Sequence, residues 1–337
     1  MHERRIYIEC MRIGRVSLLA IACLGAACGQ SEDIPVLSYK EAPDWPAPLM
    51  NSAGTPAAWN FIQVSGIAVD PPGHILVLHR GALPFLEFES NGKYVRPWGS
   101  VTFSEGKVAA IAEGHRIPGR SAYSAVYGPA GCDSCGAHSV RVDPDHNIWV
   151  VDAPGQVIYK LDPQGNVIMQ LGRKGVAGMG HNNFNLPTDV AFAANGDFYV
   201  TDGYANARVL KFSHDGKYLL EWGTRGKGPG QFELPHNVVV DALGKVYVTD
   251  RENRRIEVFD ANGKFLSQWP TMQGVSGLFM TKDQHLWTGA VLMSLDGHAV
   301  GKLPNGSDGS GHGVAVSDSG DVYLAQLSGK VQKFVKQ

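Results

Sequence analysis

A repeat that begins near residue 61 constrains the fold more than any other feature of the sequence. Each unit contains four short apolar runs separated by turns and recurs at intervals of roughly 40 residues. Tight-turn dipeptides occupy corresponding hairpin sites at Asn91-Gly92, Gln164-Gly165, Asp215-Gly216, Asn262-Gly263 and Asp296-Gly297. Repeated four-stranded meanders are typical of β-propellers, and six units fit the 337 residues. The sequence therefore predicts an all-β fold, a six-bladed propeller of four-stranded antiparallel blades.

The six predicted blades account for most of the chain after residue 60. They cover residues 64–99, 137–172, 187–223, 235–269, 275–303 and 311–337. The 41 glycines and 19 prolines make up about 18% of the residues, above an average of roughly 12%, and agree with many turns. We expect a propeller over 61–337, with an insertion at about 101–136 that forms a loop over one face. A separate segment, 29–60, precedes it.

The sixth predicted blade is short by one strand. Its three apolar runs are 313–316, 322–326 and 331–335. An unpaired edge would leave the ring open. We therefore predict that the apolar stretch 34–39 supplies the missing outer strand and closes the ring.

A glycine-rich segment, 223–235, connects the third and fourth predicted blades. It is not a phosphate-binding loop, because no Gly-Lys-Ser/Thr sequence follows its glycines. It resembles the inter-blade crossover of NHL-type propellers, with Phe232 expected to pack between blades.

The N-terminus is typical of a secretory signal. Arg12 and Arg15 precede the apolar run 16–24, which small residues and Cys28 follow. We predict a signal peptide over 1–28 of lipoprotein type, with Cys28 lipidated. Leu24 lies one position further from the cysteine than is usual, so ordinary cleavage nearby is the alternative. Either way we expect an exported protein, in the periplasm or cell envelope, whose only membrane contact is a lipid anchor.

The remaining cysteines predict a disulfide, and the net charge bears on the kind of partner. Outside the signal only Cys132 and Cys135 remain, and in an oxidising compartment we predict a local disulfide between them. A redox or metal-binding pair is the alternative, but haem attachment is excluded because Gly136 follows Cys135. The formal net charge of −2 gives no basic footprint, so we expect no nucleic-acid partner. We expect a monomer.

Three histidines share one position of the repeat. When the blades are aligned on their first strands, this column holds Ser65, His138, Thr188, His236, Ser276 and His312. First strands line the channel of a propeller, and alternate blades are roughly 120° apart, so the three imidazoles should meet at the axis. Three neutral imidazoles with an open fourth position match catalytic zinc, although copper, iron and nickel also take histidine ligands. Other histidines show no such pattern, among them His79, His146, His181, His285 and His298.

A second column follows the second strand of each blade. It holds Arg80, Tyr204 and Arg251 in the first, third and fourth blades. In an antiparallel meander this position returns to the face where the first strand began, so the three side chains should lie on the same face as the histidines. Two guanidiniums and a phenol suit an anionic substrate with a carboxylate. Each has a structural alternative, since Arg251 has acidic neighbours with which to pair.

Several motifs together resemble a known family. They are His79-Arg80-Gly81, 138–143, 188–191, 201–208, 234–236 and 250–253. In this order, and in these blades, they resemble peptidyl-α-hydroxyglycine α-amidating lyase, the second half of the peptide-amidating system. The resemblance spans about 61–326.

The resemblance implies a reaction and a set of residues for it. It implies zinc held by His138, His236 and His312, a catalytic Tyr204, and substrate binding by Arg80 and Arg251. The reaction cleaves the C–N bond of a C-terminal α-hydroxyglycine and gives a peptide amide and glyoxylate. In this chemistry zinc acts as a Lewis acid on the substrate hydroxyl, Tyr204 takes its proton, and the arginines fix the carboxylate.

The chain departs from the family around the third histidine. The family has Met-x-His-Asp, and here the sequence is Ser310-Gly311-His312-Gly313. That aspartate serves a calcium ion together with two backbone carbonyls, which map onto Ile67 and Val140. Gly313 offers no carboxylate, although Asp189 could approach from another blade. The absent methionine changes part of the expected substrate pocket.

Two further departures concern the substrate and a disulfide. The cysteine that follows the family's tyrosine is Ala205 here, so that disulfide is absent. No hydroxylase domain precedes the propeller, and the native substrate could differ from an amidated peptide precursor. The alternatives to a lyase are an exported NHL-type scaffold and another propeller enzyme, such as a lactonase or a lyase that opens cyclic peptides.

Overall fold

The computed structural model describes residues 34–50, 54–104, 136–271, 273–304 and 311–337. Over these residues the chain is all-β, and six four-stranded antiparallel sheets form the predicted propeller. Among them no helix has the length and apolar character needed to cross a membrane. The signal segment, Cys28, Cys132, Cys135, Ser310 and most of the insertion lie outside the described residues, and the statements about them stay predictions.

The strands follow the repeat closely. Three short strands come first: β1 (Tyr39–Glu41), β2 (Leu49–Met50) and β3 (Pro56–Ala57). Blade 1 comprises β4 (Val64–Val69), β5 (Ile75–His79), β6 (Phe85–Phe88) and β7 (Tyr94–Pro97). Blade 2 comprises β8 (Ala137–Val142), β9 (Ile148–Asp152), β10 (Val157–Leu161) and β11 (Val167–Gly172). Blade 3 comprises β12 (Asp189–Phe192), β13 (Phe198–Asp202), β14 (Arg208–Phe212) and β15 (Tyr218–Trp222).

The second half of the ring has the same plan. Blade 4 comprises β16 (Pro235–Val240), β17 (Val246–Asp250), β18 (Arg255–Phe259) and β19 (Phe265–Pro270), with a 3-10 turn at Arg251–Asn253. Blade 5 comprises β20 (Leu278–Met280), β21 (Leu286–Thr288), β22 (Val291–Met293) and β23 (Ala299–Lys302). Blade 6 contains β24 (Gly313–Val316), β25 (Val322–Ala325) and β26 (Val331–Lys336).

The first strands of all six blades are innermost. Each contacts the first strand of the blade on either side, and together they surround the channel. The second and third strands are buried, as in β9 and β10, whereas outer strands such as β11 are largely exposed. Apolar layers fill the space between blades; between blades 2 and 3, for example, the rings of Trp149 and Phe198 lie 4.7 Å apart. The core therefore surrounds the channel that carries the site.

The strand that closes the ring lies later in the chain than the sequence predicts. β1 pairs antiparallel with β26 of blade 6, from Tyr39 opposite Lys336 to Glu41. Of the predicted stretch 34–39, only Tyr39 belongs to this strand. The residues before it lie against blade 5, where the Leu37 N–H donates to the Lys302 carbonyl at 2.8 Å. The reason is packing, since the Leu37 side chain enters the apolar layer between blades 5 and 6.

The glycine-rich crossover places Phe232 between blades 3 and 4. Its ring is fully buried and lies 5.7 Å from that of Phe259. The buried Asp250 carboxylate accepts the backbone N–H groups of Glu233 and Leu234 at 2.9 and 3.0 Å. Arg255 balances its charge, with Nε 3.0 Å from the carboxylate. These contacts fix the end of β17, from which Arg251 extends.

Candidate metal centre

Local irregularities direct the residues of the first column toward the axis. In blades 2 and 4 the pairing register shifts around His138 and His236, so each is the extra residue of a β-bulge. The same shift in blade 1 falls at Ser65. A bulge changes the direction of a side chain without ending the strand. His312 lies directly before β24, where its backbone N–H donates to the Ala325 carbonyl at 2.7 Å.

The structure brings the three histidines together. The ring centroids of His138 and His236 are 5.1 Å apart, those of His138 and His312 are 5.0 Å apart, and those of His236 and His312 are 4.9 Å apart. One ring nitrogen of each lies within 4.8 Å of the others. All three side chains are buried. The arrangement is nearly trigonal, as expected for ligands from alternate blades.

Hydrogen bonds set the orientation of each imidazole. Every Nδ1 donates to the backbone carbonyl of the column residue in the next blade: His138 to Thr188 at 2.7 Å, His236 to Ser276 at 3.0 Å, and His312 to Ser65 at 2.6 Å. Because a carbonyl only accepts, each Nδ1 carries the proton and each Nε2 keeps its lone pair. Such second partners commonly orient metal-binding histidines.

Burial keeps the three imidazoles neutral. It is the largest cause of a pKa well below the ordinary value for His138 and His236, and it lowers the pKa of His312 to about 3. The positive charges of Arg80 and Arg251 act in the same direction on His138 and His312. Neutral imidazoles are the form that binds a metal ion.

The donor set fits a zinc ion. Within the described part of the chain, the Nε2 of His312 is buried and has no hydrogen-bond partner. A buried acceptor without a partner is costly, and a metal ion at the centre of the three nitrogens would remove that cost. Three histidines and an open fourth position are the ligands of many catalytic zinc sites.

Tyr204 reaches the same point from blade 3. Its hydroxyl lies 3.1 Å from Nε2 of His138 and 3.1 Å from Nε2 of His236. The side chain is 1% exposed and packs on Ala153, Leu186 and Leu234. Apolar neighbours therefore hold the phenol beside the two histidine nitrogens, where it can exchange a proton with a group bound at this point.

Arg80 and Arg251 both lie close enough to His138 and His312 to lower the pKa of these histidines. Arg80 is fully buried, with Nη1 2.7 Å from Oε1 of Gln63 and Nε 3.3 Å from the Ala137 carbonyl. Arg251 has 18% of its side chain exposed and contacts Glu252 at 3.1 Å. Its guanidinium carbon lies 5.7 Å from the centre of the Tyr204 ring. Both cations therefore lie close to the three-histidine group, and Arg251 also lies over the phenol.

The residues do not supply the carboxylate that a calcium site needs. Gly313 has no side chain, and a Cβ there would lie 3.2 Å from Gly66 Cα and from the Ile67 nitrogen. Asp189 is at the axis, but both its oxygens are engaged by Arg141 and one also by the Val238 N–H. A calcium ion held by Ile67 and Val140 would find no free acid among the described residues.

Sequence reasoning missed Gln63 and Arg141. Gln63 lies just outside the repeat, and nothing in its spacing distinguishes it. Arg141 did leave a signal, because a charged residue inside the apolar first strand Ala137–Val142 is rarely buried without a partner. Its partners lie in other blades, however, and cannot be read from the spacing along the chain.

Six blades around a buried three-histidine group define a β-propeller with a candidate metal centre at its axis. A family model described as "6-bladed beta-propeller" matches residues 181–270. The chain is 31% identical over 205 residues to a probable peptidyl-alpha-hydroxyglycine alpha-amidating lyase of Caenorhabditis elegans, which covers 59% of this chain and 56% of that protein. It is also 31% identical to the human NHL repeat-containing protein 3, over 57% of this chain and 63% of that protein.

These relatives confirm the resemblance to the amidating lyases and to NHL-repeat propellers. The matched region spans less than two thirds of the length of either relative. Two solved structures share the fold at 14% identity. They are a streptogramin B lyase (TM-score 0.53, 83% of this chain and 95% of that one) and a virginiamycin B lyase of Staphylococcus aureus (TM-score 0.51, 89% and 88%).

Proposed function

We propose that this chain is a zinc-dependent lyase that cleaves the C–N bond of a peptidyl-α-hydroxyglycine-like substrate. The products would be an amide and glyoxylate. One observation carries the proposal: the Tyr204 hydroxyl lies 3.1 Å from two of three converging histidine nitrogens. A scaffold that only binds a partner has no need for a buried phenol beside a trigonal imidazole set. The similarity to the worm lyase supports the same reading.

The substrate carboxylate gives the arginines their role. Guanidiniums bind carboxylates through two parallel hydrogen bonds. Arg251, which is partly exposed, would meet the carboxylate first, and the buried Arg80, which donates a hydrogen bond to Gln63, would complete its binding. Fixing this end of the substrate places the α-hydroxyl beside Tyr204 and reduces the entropy that the reaction must lose.

Proton movement at Tyr204 completes the chemistry. When bound by the histidines, zinc supplies Lewis-acid polarisation of the substrate hydroxyl. Tyr204, acting as the phenolate, accepts the hydroxyl proton, and the electron pair of the O–H bond forms the C=O bond of glyoxylate. The C–N bond breaks, its electron pair goes to the amide nitrogen, and Tyr204 returns the proton to that nitrogen. No water or oxidant is consumed, so atoms and charge balance within the substrate.

The test is glyoxylate release from α-hydroxyhippurate by the purified, zinc-loaded protein. We expect turnover by the natural chain and a loss of about 100-fold or more in kcat for Tyr204→Phe, because general acid–base groups contribute at least that much. Zinc content should stay unchanged in this variant. Tyr218→Phe, in the outer strand of the same blade, is the matched control and should retain full activity.

Two results would contradict the proposal. A natural chain that binds zinc at one ion per chain yet releases no glyoxylate would leave a metal-binding propeller of another kind, such as a lactonase or a scaffold. A Tyr204→Phe variant with the natural rate would remove the tyrosine from the chemistry even if glyoxylate is formed.

A further inference from the structure

A second polar layer lies next to the histidines along the axis. Its centre is Asp189 at the start of β12, a carboxylate with no exposed surface. Arg141 of blade 2 binds it with both arms of its guanidinium, Nε to Oδ1 at 3.0 Å and Nη2 to Oδ2 at 2.5 Å. The Val238 N–H adds a third donor at 3.2 Å. A buried carboxylate needs this degree of compensation, since an unpaired one is strongly destabilising.

The same guanidinium extends to two more blades. Nη2 of Arg141 donates to Oδ1 of Asn237 in blade 4 at 2.6 Å, and Nη1 donates to the Leu278 carbonyl in blade 5 at 3.0 Å. The Leu278 N–H in turn donates to Oδ1 of Asn237 at 2.6 Å. One side chain from blade 2 thus contacts blades 3, 4 and 5. Its planar fork, with five N–H donors, suits such bridging in a way that a lysine does not.

Residues of this layer are next to residues of the three-histidine group in the sequence. Asn237 follows His236 directly, and Asp189 follows Thr188, whose carbonyl accepts the Nδ1 proton of His138. Arg141 lies three residues beyond His138 in the same strand. Any shift of blades 2, 3 and 4 relative to one another would therefore change the distances between two of the three histidines.

We propose that Arg141 is a fixed cation at the axis of this propeller and a positioning residue for the three-histidine centre, an inference that rests on the zinc binding of the proposed function. It neutralises the buried Asp189 and joins blades 2, 3, 4 and 5 at this layer. A calcium ion would meet a fixed positive charge and an already saturated carboxylate there, and Gly313 offers no replacement ligand. Among the described residues, the axis therefore has one place for a metal ion, at the histidines, and Arg141 takes the place of a second cation.

The first arm of the test measures calcium dependence in the full-length natural protein. Thermal unfolding of the zinc-loaded chain should give the same Tm in millimolar calcium chloride and in EGTA. Metal analysis should find one zinc and no calcium per chain. A calcium-dependent rise in Tm, or calcium that copurifies at one ion per chain, would overturn the proposal.

The second arm measures zinc affinity, which a purely structural role would not change in a folded variant. In Arg141→Met, competition with a chromophoric chelator should show zinc binding weakened by roughly tenfold or more, as is usual when a residue that orients metal ligands is lost. Arg141→Lys keeps the positive charge but loses the planar guanidinium, so its zinc affinity should lie between those of the natural chain and Arg141→Met. Arg225→Met, an arginine in a more exposed ion pair with Glu233, is the matched control. Natural zinc affinity in a folded Arg141→Met variant would refute the positioning role. If that variant does not fold, the calcium measurements on the natural protein still test whether Arg141 takes the place of a calcium ion.

Discussion

At the scale of single residues, His79 takes the place of a buried aspartate that accepts backbone N–H groups in three other blades. In blades 2, 3 and 4 the second strand ends in a buried aspartate that accepts backbone N–H groups of the preceding crossover, as Asp250 does. In blade 1 the corresponding residue is His79, whose Nδ1 accepts the N–H groups of Gly81 at 3.2 Å and Ile62 at 3.4 Å. A neutral imidazole performs this role without a counter-charge.

That role makes His79 a source of acid sensitivity. Burial lowers the pKa of His79 from 6.5 to about 4. Above pH 6.5 the histidine is neutral in both the folded and unfolded states and contributes no pH dependence. As the pH falls from 6.5 toward 4, only the unfolded chain gains the proton, so stability is lost at about 1.4 kcal/mol per pH unit. Below pH 4 the loss ends, because both states are protonated.

We therefore expect His79→Gln to reduce the pH dependence of stability. Between pH 7 and pH 5 the unfolding free energy of the natural chain should fall by about 2 kcal/mol more than that of the variant. Urea unfolding in EDTA at the two pH values measures this difference without interference from bound metal. His214→Gln, at an exposed histidine, should behave like the natural chain. Equal pH dependence in His79→Gln and the natural chain would show that His79 is not the source.

The residues of the site differ in how far the sequence could predict them. The three histidines were predictable because the repeat aligns them, and the channel geometry of a propeller then brings them together. The Arg141–Asp189 pair was not, because it joins different blades and depends on side-chain reach across the channel. The β-bulges at His138 and His236 could not be predicted from the sequence either, since a bulge adds one residue to a strand without changing its composition.

At the scale of elements, β1 is the strand on which ring closure depends. It pairs with β26 over three residues, and the Tyr39 ring packs edge-on against Trp287 at 5.9 Å. The sequence predicted a closing strand because blade 6 lacked one. Its position was wrong by several residues, since the apolar character of 34–38 serves the layer beside blade 5 and not a strand pairing. Apolar composition alone cannot distinguish these two uses.

Removing β1 should therefore destabilise the whole ring. A chain that begins at residue 43 loses the strand pairing and the buried surface of Leu37 and Tyr39, together roughly 5 kcal/mol. We expect its Tm to fall by on the order of 10 °C relative to a chain that begins at residue 34. Differential scanning calorimetry of the two truncated chains makes the comparison. An unchanged Tm would show that the ring is closed without β1.

At the scale of the whole molecule, the three histidines come from blades that are not neighbours in the ring. His138, His236 and His312 come from blades 2, 4 and 6, and each is bonded to the blade that follows it. All six blades therefore take part in one ring of alternating imidazoles and carbonyls. The fold class and blade number were predictable from the repeat, because they depend on periodicity and not on individual contacts.

Zinc should accordingly stabilise the molecule as a whole. A ligand that binds only the folded state at 100 times its Kd adds about 2.7 kcal/mol, which for a domain of this size corresponds to a rise in Tm of about 4 °C. We expect this rise when zinc is added to the metal-free natural chain and not when it is added to His236→Ala. His298→Ala, at an exposed histidine in blade 5, should respond like the natural chain. Full zinc stabilisation of His236→Ala would exclude the three-histidine centre as the binding site.

The pairing of β1 with β26 has a consequence for how the protein is made. Blades 1 to 5 can form in the order of synthesis, but blade 6 waits for the last residues of the chain, because β26 is the partner of β1. His312 lies in that blade, and the carbonyl that orients it belongs to Ser65 in blade 1. A chain that ends before His312 therefore has only two of the three imidazoles. If zinc binds at these histidines as proposed, the ion can be held by all three only after blade 6 has formed.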